Sequence, residues 1–266
     1  MIKKKRTHTR IVFISDIHIP YQDKKALAMA MDIIKDYNLN EEDSVIIGGD
    51  LVDYYPISSF SPDLTQSNID LELFEAVEWL NELRKLAPKS NIFFFEGNHE
   101  QRMQKKIMSC VSSLAPFLKN RLSIRQLLEF KKFGIREVKT PFSLRQPKIF
   151  FLHGHEKKGF ITPKHIANVN LMYYNRNVIV GHHHRFDMSI TTQLDGSLLG
   201  GWANGCLADL SLLPDGLYSS FDSTQRGITV VHTKTNGFFS VEQHLFVPNK
   251  QKGYECLVNN KGYTSK

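Results

Sequence analysis

Cysteine is scarce. Three residues, Cys110, Cys206 and Cys256, are spread through 266 positions with no Cys-x-x-Cys pair. So sparse and odd a count argues for reduced thiols over a disulfide framework and rules out a Cys-based zinc finger, leaving small buried hydrophobes or idle surface thiols. Long apolar runs are missing too: nowhere do about 18 consecutive apolar residues occur, as a bilayer span requires. The start, Met1-Ile2-Lys3-Lys4-Lys5-Arg6, leads into a strand rather than an apolar signal core. The expectation is a soluble, cytoplasmic chain without a membrane partner. There is no internal repeat and no low-complexity tract.

What is present is an ordinary globular composition, 41% hydrophobic and 23% charged, in a chain long enough to bury roughly three quarters of its unfolded surface. A single domain over residues 1–248 is expected, with a polar, loose tail at 249–266. Charge is unevenly placed. Residues 1–10 carry five Lys/Arg and no acid, and residues 101–150 carry twelve Lys/Arg against Glu129 and Glu137, so the rest of this +7 chain is net negative by eight.

Five hydrophobic runs end alike. Arg10–Ser15 runs into Asp16-Ile17-His18, Ser44–Gly48 into Gly49-Asp50-Leu51-Val52-Asp53, and Asn91–Glu96 into Gly97-Asn98-His99-Glu100. Lys148–Leu152 runs into His153-Gly154-His155, and Asn177–Val180 into Gly181-His182-His183-His184. Apolar runs of this length read as buried strands, and open α/β sheets place ligands at the carboxyl ends of their strands. Five such endings predict a shared rim of metal ligands.

Between these runs the spacing predicts a helix over Lys24–Asp36, with Ala26, Ala30, Ile33 and Ile34 inward, and another over Ile69–Leu86, with Leu71, Phe74, Val77, Leu80 and Leu83 as its stripe. Pro88 stops the second. From about 101 to 147 the rhythm lapses into a basic helical insertion. Met103, Ile107, Val111 and Leu114 suggest one helix there, and Ser123 with Gln126 a capping box for a second that runs through Phe130. A helix over Thr162–Tyr174 follows, with Pro163 near its start. Over about 186–248, hairpins around Asp195-Gly196 and Asn236-Gly237 predict a second, mainly antiparallel sheet.

Hydrolysis of a phosphate ester needs a nucleophile at neutral pH, neutralised phosphoryl oxygens and a proton for the leaving alkoxide; two metals about 3.5 to 4 Å apart supply the first two through a bridging hydroxide. One carboxylate must then bridge both ions, and Asp50 is the natural candidate. Asp16, His18 and one late His would complete one ion; Asn98, His153 and the other late His would complete the second. His99, beside Asn98, is free to act as general acid.

In order, Asp16-x-His18, Gly49-Asp50-x-x-Asp53, Gly97-Asn98-His99-Glu100, His153-Gly154-His155 and Gly181-His182-x-His184 resemble the five blocks of the calcineurin-like metallophosphoesterase superfamily, over about residues 10–185. The resemblance implies an α/β sandwich, two packed mixed β-sheets flanked by helices. It also implies that Asp16, His18, Asp50 and His184 hold one divalent ion and Asp50, Asn98, His153 and His182 the other. His99 and Asp50 would be catalytic, with direct attack by metal-activated water and no phosphoenzyme. Mn²⁺ is favoured, and Fe, Zn²⁺ or Ni²⁺ suit the same mixed donors. Protein phosphatases of the superfamily carry an Arg after the second aspartate of GDxVD and another just before GNHE; here Tyr54 and Glu96 stand there. The run as a whole, including Gly201-Trp202-Ala203-Asn204-Gly205-Cys206-Leu207, resembles the small phosphoesterases of bacteriophages and prophages, which would set it in the host cytoplasm.

Arg102, Arg185 and His155 are candidates for binding substrate; His183 is expected to stay off the metals. Asp53 either hydrogen-bonds a ligating His or caps the next loop. Glu100 is expected to support the backbone of its motif. The leading reading is a phosphodiesterase or nuclease acting on nucleic acid or nucleotides, with a phosphomonoesterase as the alternative and a catalytically idle docking module as the third. The basic insertion fits either an anionic partner such as DNA or RNA or a solvated face. Phe117, Phe130 and Phe133 are candidates for stacking bases or for packing the insertion's own core, and Lys3–Arg6 for a phosphate-gripping arm or a solubilising end.

Overall fold

The computed structural model describes residues 8–58, 68–145, 147–157, 165–213 and 223–265. Pro163 and the Lys3–Arg6 segment lie outside them. Thirteen strands are described: β1 (His8–Ile14), β2 (Ser44–Ile47), β3 (Asn91–Phe94), β4 (Ile135–Glu137), β5 (Ile149–Leu152), β6 (Asn177–Val180), β7 (Asp187–Thr192), β8 (Leu198–Ala203), β9 (Gly227–Lys234), β10 (Phe239–Leu245), β11 (Val247–Pro248), β12 (Tyr254–Val258) and β13 (Lys261–Thr264). The helices are α1 (Lys24–Tyr37), α2 (Ile69–Leu86), α3 (Glu100–Cys110), α4 (Ala115–Arg121), α5 (Ile124–Leu127), α6 (Phe130–Phe133) and α7 (Ile166–Tyr174).

Two mixed sheets carry the fold. The first has the order β10-β9-β1-β2-β3-β4, parallel from β1 to β4 and antiparallel across β1-β9-β10; the second has the order β5-β6-β8-β7, parallel except for β7-β8. The alternation of side chains explains why these strands are apolar throughout. Val12, Ile14, Val45, Ile47 and Phe94 pack with α1 and α2 on one face. Ile11, Phe13, Ile46 and Phe93 pack on the other against Phe151, Ile179 and Trp202 of the second sheet. The outer face of that sheet meets Ile166 and Leu171 of α7. The result is a layered sandwich in which β1, β2, β3, β5 and β6 all deliver their carboxyl ends to one rim.

Four expectations need correction. The late hairpins do not form a sheet of their own; β7-β8 extends β6, and β9-β10 pairs β9 with β1, because each offers a hydrogen-bonding edge to a parallel core. The buried stripe of α2 is Glu72, Ala76, Trp79, Leu80 and Leu83, leaving Leu71 (49%) and Phe74 (63%) exposed. The insertion is not purely helical: β4 pairs parallel with β3, and Ser123 makes no side-chain cap, its hydroxyl donating instead to the Asn120 carbonyl.

The last correction concerns the expected loose tail. Residues from Asn249 onward form the β12-β13 hairpin, which packs on α1 and buries Cys256 and Val258. The Tyr263 hydroxyl donates to Asp36 at 2.6 Å, and the Tyr254 hydroxyl donates to Asp23, the residue that caps α1. Truncation after Pro248 is therefore expected to lower Tm by at least about 5 °C; thermal melts that coincide with the full chain would make the segment a tail after all.

Candidate metal and active site

The rim is built from strained backbone. Asp16, His18, Asp50, His182 and His184 all have φ between 51° and 68°, the left-handed region that non-glycine residues avoid unless the surroundings impose it. Each follows a parallel strand, so the sharp reversal swings its side chain back over the sheet edge. Gly97 is required by packing: a Cβ there would lie 2.1 Å from Asp50 Oδ1.

Asp50 sits at the centre. Its Oδ2 lies 3.1 Å from His153 Nε2, 3.8 Å from His18 Nε2 and 3.8 Å from His99 Nε2, while Oδ1 accepts the His99 backbone N–H at 2.9 Å. On one side of it, His184 Nε2 is 3.3 Å from Asp16 Oδ1 and 3.3 Å from His18 Nε2. On the other, Asn98 Oδ1 is 3.1 Å from His153 Nε2, and the His182 ring lies 5.0 Å from that of His153. All seven candidate ligands are thus brought together.

Ring orientation separates ligating atoms from supporting ones. His153 Nδ1 lies 2.8 Å from the Gly48 carbonyl, which only a donor can satisfy, so Nε2 presents a lone pair when the ring is neutral. His18 Nδ1 is held by Asp53 Oδ2 at 2.8 Å, which directs its Nε2 inward. Asp53 also meets His99 Nδ1 at 3.3 Å. Among the described residues, three groups have donor atoms close enough to share an ion: Asp16/His18/His184, Asp50/His153/His182 and His18/Asp53/His99. In the last, Asp53 already bonds both imidazoles through their Nδ1 atoms, so it is an orienting hub rather than a third ion site.

Electrostatics agree with a cation-binding donor set. Burial would raise the Asp16 and Asp50 pKa values, but His153 and the other imidazoles hold both below the ordinary carboxylate range. Burial would likewise lower His153, yet Asp50 and Asp16 drive it up to about 10. A proton so firmly held between two buried carboxylates marks where a metal ion would carry the charge instead. Burial and His153 push His182 down to about 3, leaving it a neutral ligand.

A cavity of about 240 Å³ opens over this cluster, with Arg102 and Ser58 among its polar lining and Tyr55, Leu210 and Leu213 as an apolar wall. Arg102 Nη1 donates to the Asp53 carbonyl at 2.8 Å, and Nη2 lies 3.0 Å from His99 Nε2. Arg185 and His155 do not line the cavity; both are half-buried, and His155 Nε2 instead meets Gln101 Nε2 at 3.0 Å.

The family profile described as "Calcineurin-like phosphoesterase" matches residues 9–193. The chain belongs to that family. It is 29% identical over 186 residues to the Gene 54 protein of Mycobacterium phage L5, a match covering 66% of this chain and 69% of that protein, and to the same extent to the Gene 54 protein of Mycobacterium phage D29. Among solved structures it is similar to wild-type Vps29 complexed with Zn²⁺ from Entamoeba histolytica (12% identity, TM-score 0.47, 96% of this chain and 98% of that one). It is also similar to vacuolar protein sorting 29 from Cryptosporidium parvum (13% identity, TM-score 0.44, 98% and 97%). Members of the calcineurin-like family typically hold two divalent ions, and membership supports phosphoester hydrolysis. Among the described residues no helix is long and apolar enough to cross a membrane.

Two buried glutamates brace the phosphoesterase site. The Glu100 carboxylate accepts the backbone N–H groups of Gly97, Asp50 and Leu51 at 2.7, 2.9 and 2.8 Å, with Val52 at 3.3 Å, which ties the second motif to the third. Glu72 accepts the Tyr54 N–H at 2.7 Å and so fixes the turn carrying Tyr55. Sequence reasoning passed over Glu72. The signal was its place at i, i+4, i+7, i+8 and i+11 with Ala76, Trp79, Leu80 and Leu83, an acid on an otherwise apolar face.

Burial, reinforced by the charge of Asp53, pushes Glu72 up to about 8. A carboxyl raised on folding stabilises the fold fully below its unfolded pKa and loses that contribution as pH rises through the folded value. Glu72→Gln, which cannot ionise, should therefore gain Tm relative to the unsubstituted protein as pH increases from 5 to 9, by several degrees at the alkaline end. A Tm difference that stays flat with pH would show Glu72 to titrate normally.

Proposed function

We propose that this chain is a dinuclear metal phosphodiesterase acting on nucleic acid or nucleotide diesters. The observation that carries the reading is Asp50, whose Oδ2 faces His18 on one side and His153 on the other at the junction of two donor groups. Asp16, His18 and His184 would hold one ion and Asn98, His153 and His182 the second, with Asp50 shared. When bound, two such ions generate a nucleophile from water at neutral pH and neutralise the phosphoryl oxygens.

The chain's own residues would do the rest. His99 is anchored through Nδ1 to the Asp53 carbonyl at 2.8 Å, which leaves Nε2 to face the reacting phosphate and to protonate the leaving alkoxide. Without substrate, Arg102 donates to that same Nε2. A phosphate entering the cavity competes for the guanidinium, and its capture of Arg102 frees Nε2 to take the proton it must deliver. Tyr54 and Glu96, standing where protein phosphatases carry arginines, favour a diester monoanion over a monoester dianion. Mn²⁺ is the working choice of metal.

With Mn²⁺-loaded protein, bis-p-nitrophenyl phosphate should be hydrolysed in preference to p-nitrophenyl phosphate, and Asp50→Asn should abolish the activity. A preference for the monoester would make the protein a phosphatase. His99→Ala should retain its metal, as read by elemental analysis, and turn over about 10² to 10⁴ times more slowly; undiminished turnover at full metal content would remove His99 from the chemistry.

A further inference from the structure

Between Glu100 and Glu129 the chain holds six Lys/Arg residues and no acid. This stretch begins as α3, directly after His99, and its first basic residue, Arg102, lines the active-site cavity. One turn further on come Lys105 and Lys106. α4 folds back against α3, held by Gln104 Nε2, which donates to the Lys119 and Leu122 carbonyls, each at 3.3 Å. Lys105 and Lys119 thereby line one shallow groove together with Met108 and Ser109.

The aromatic residues of the insertion divide into two kinds. Phe130 and Phe133 are buried, Phe130 against Phe94 of the first sheet, as core packing requires. Phe117 is 58% exposed on α4, and the Arg121 guanidinium lies 4.4 Å from its ring centroid. Met108 of α3 and Leu114, just before α4, are exposed as well. An exposed aromatic ring backed by a guanidinium, on the same hairpin as a groove that carries two ammonium groups, matches a chain of bases joined by phosphates.

We propose that the α3–α4 hairpin is a docking strip for single-stranded nucleic acid, leading from the groove of Lys105 and Lys119 and the Phe117 platform into the metal site. The inference rests on the phosphodiesterase reading above. Along its 11 residues α3 extends ~16 Å, room for about four or five stacked nucleotides. Phosphates pair with Lys105 and Lys119, a base stacks on Phe117, and the strand enters the cavity past Arg102.

Binding of a fluorescein-labelled oligothymidylate with phosphorothioate linkages, which keep the charge and resist hydrolysis, tests this in the Mn²⁺-loaded full chain by anisotropy. Phe117→Ala should weaken binding about tenfold. Lys105→Ala/Lys119→Ala should weaken it and flatten the slope of log K against log salt by about 1.4, two single-strand phosphate contacts. Both variants alter exposed side chains and should hydrolyse bis-p-nitrophenyl phosphate at the unsubstituted rate. Unchanged oligonucleotide affinity in both variants, with the small diester still hydrolysed, overturns the strip and leaves the phosphodiesterase reading intact. Loss of small-diester hydrolysis by the unsubstituted protein overturns that reading instead. Equal or tighter binding of a duplex overturns the single-strand assignment, as does binding of phosphatidylserine vesicles that depends on Phe117 while oligonucleotide binding does not.

Discussion

Three carboxylates are buried within one small volume: Asp16, Asp50 and Asp53 are each no more than 2% exposed. Among the described residues their ion-pair partners are four imidazoles, His18, His99, His153 and His184, and Arg102. Unpaired, buried charges of one sign cost several kcal/mol each. Imidazoles can compensate by carrying protons themselves or by lending lone pairs to a cation that carries the charge for them. The convergence of five strand ends, the left-handed backbone at five ligand positions and the glycine beside Asp50 all serve to hold this charge cluster together.

The cluster is fixed from behind by Glu100, Glu72 and Asn204, which do not line the cavity, and from its wall by Asp53. Glu100 gathers the N–H groups of the turn after β2, where the β-strand ladder has ended. Glu72 does the same for the next turn. Asp53 orients two rings at once, one among the proposed ligands and one in the proposed proton donor. Asn204 joins the two sheets at the rim, donating to Ser15 Oγ and accepting from Thr229 Oγ1. Positions of ligand atoms are therefore set by a second ring of hydrogen bonds as much as by the strands.

The strands and their polar endings were legible because burial on both faces leaves a plain apolar signature and because Asp, His and Asn at five strand ends have no packing rationale. The end of α2 could also be read, from Pro88 after it, but its buried face could not. A carboxyl group that accepts the Tyr54 N–H occupies a core position there, and hydrophobicity alone rotates the stripe toward Leu71 and Phe74. Which sheet each hairpin joins depends on which edge is free in three dimensions, and no local pattern encodes that. The β12-β13 hairpin looked like a tail because its outer residues are polar, while its inner ones, Cys256 and Val258, are too few to make a visible run. Arg185 and His155 adjoin motif residues in sequence, yet adjacent residues point apart where the backbone turns as sharply as it does at His184 and Gly154.

In the first sheet β1 has β2 on one side and β9 on the other, and His8 of β1 pairs with Lys234 of β9, more than two hundred residues later. Contacts of such separation form slowly. During synthesis every proposed ligand, from Asp16 to His184, leaves the ribosome before the strand that completes the sheet beneath the first motif. A nascent chain therefore exposes these donors while they are still unarranged, open to any imidazole- or carboxylate-seeking ion at hand before β9 closes against β1.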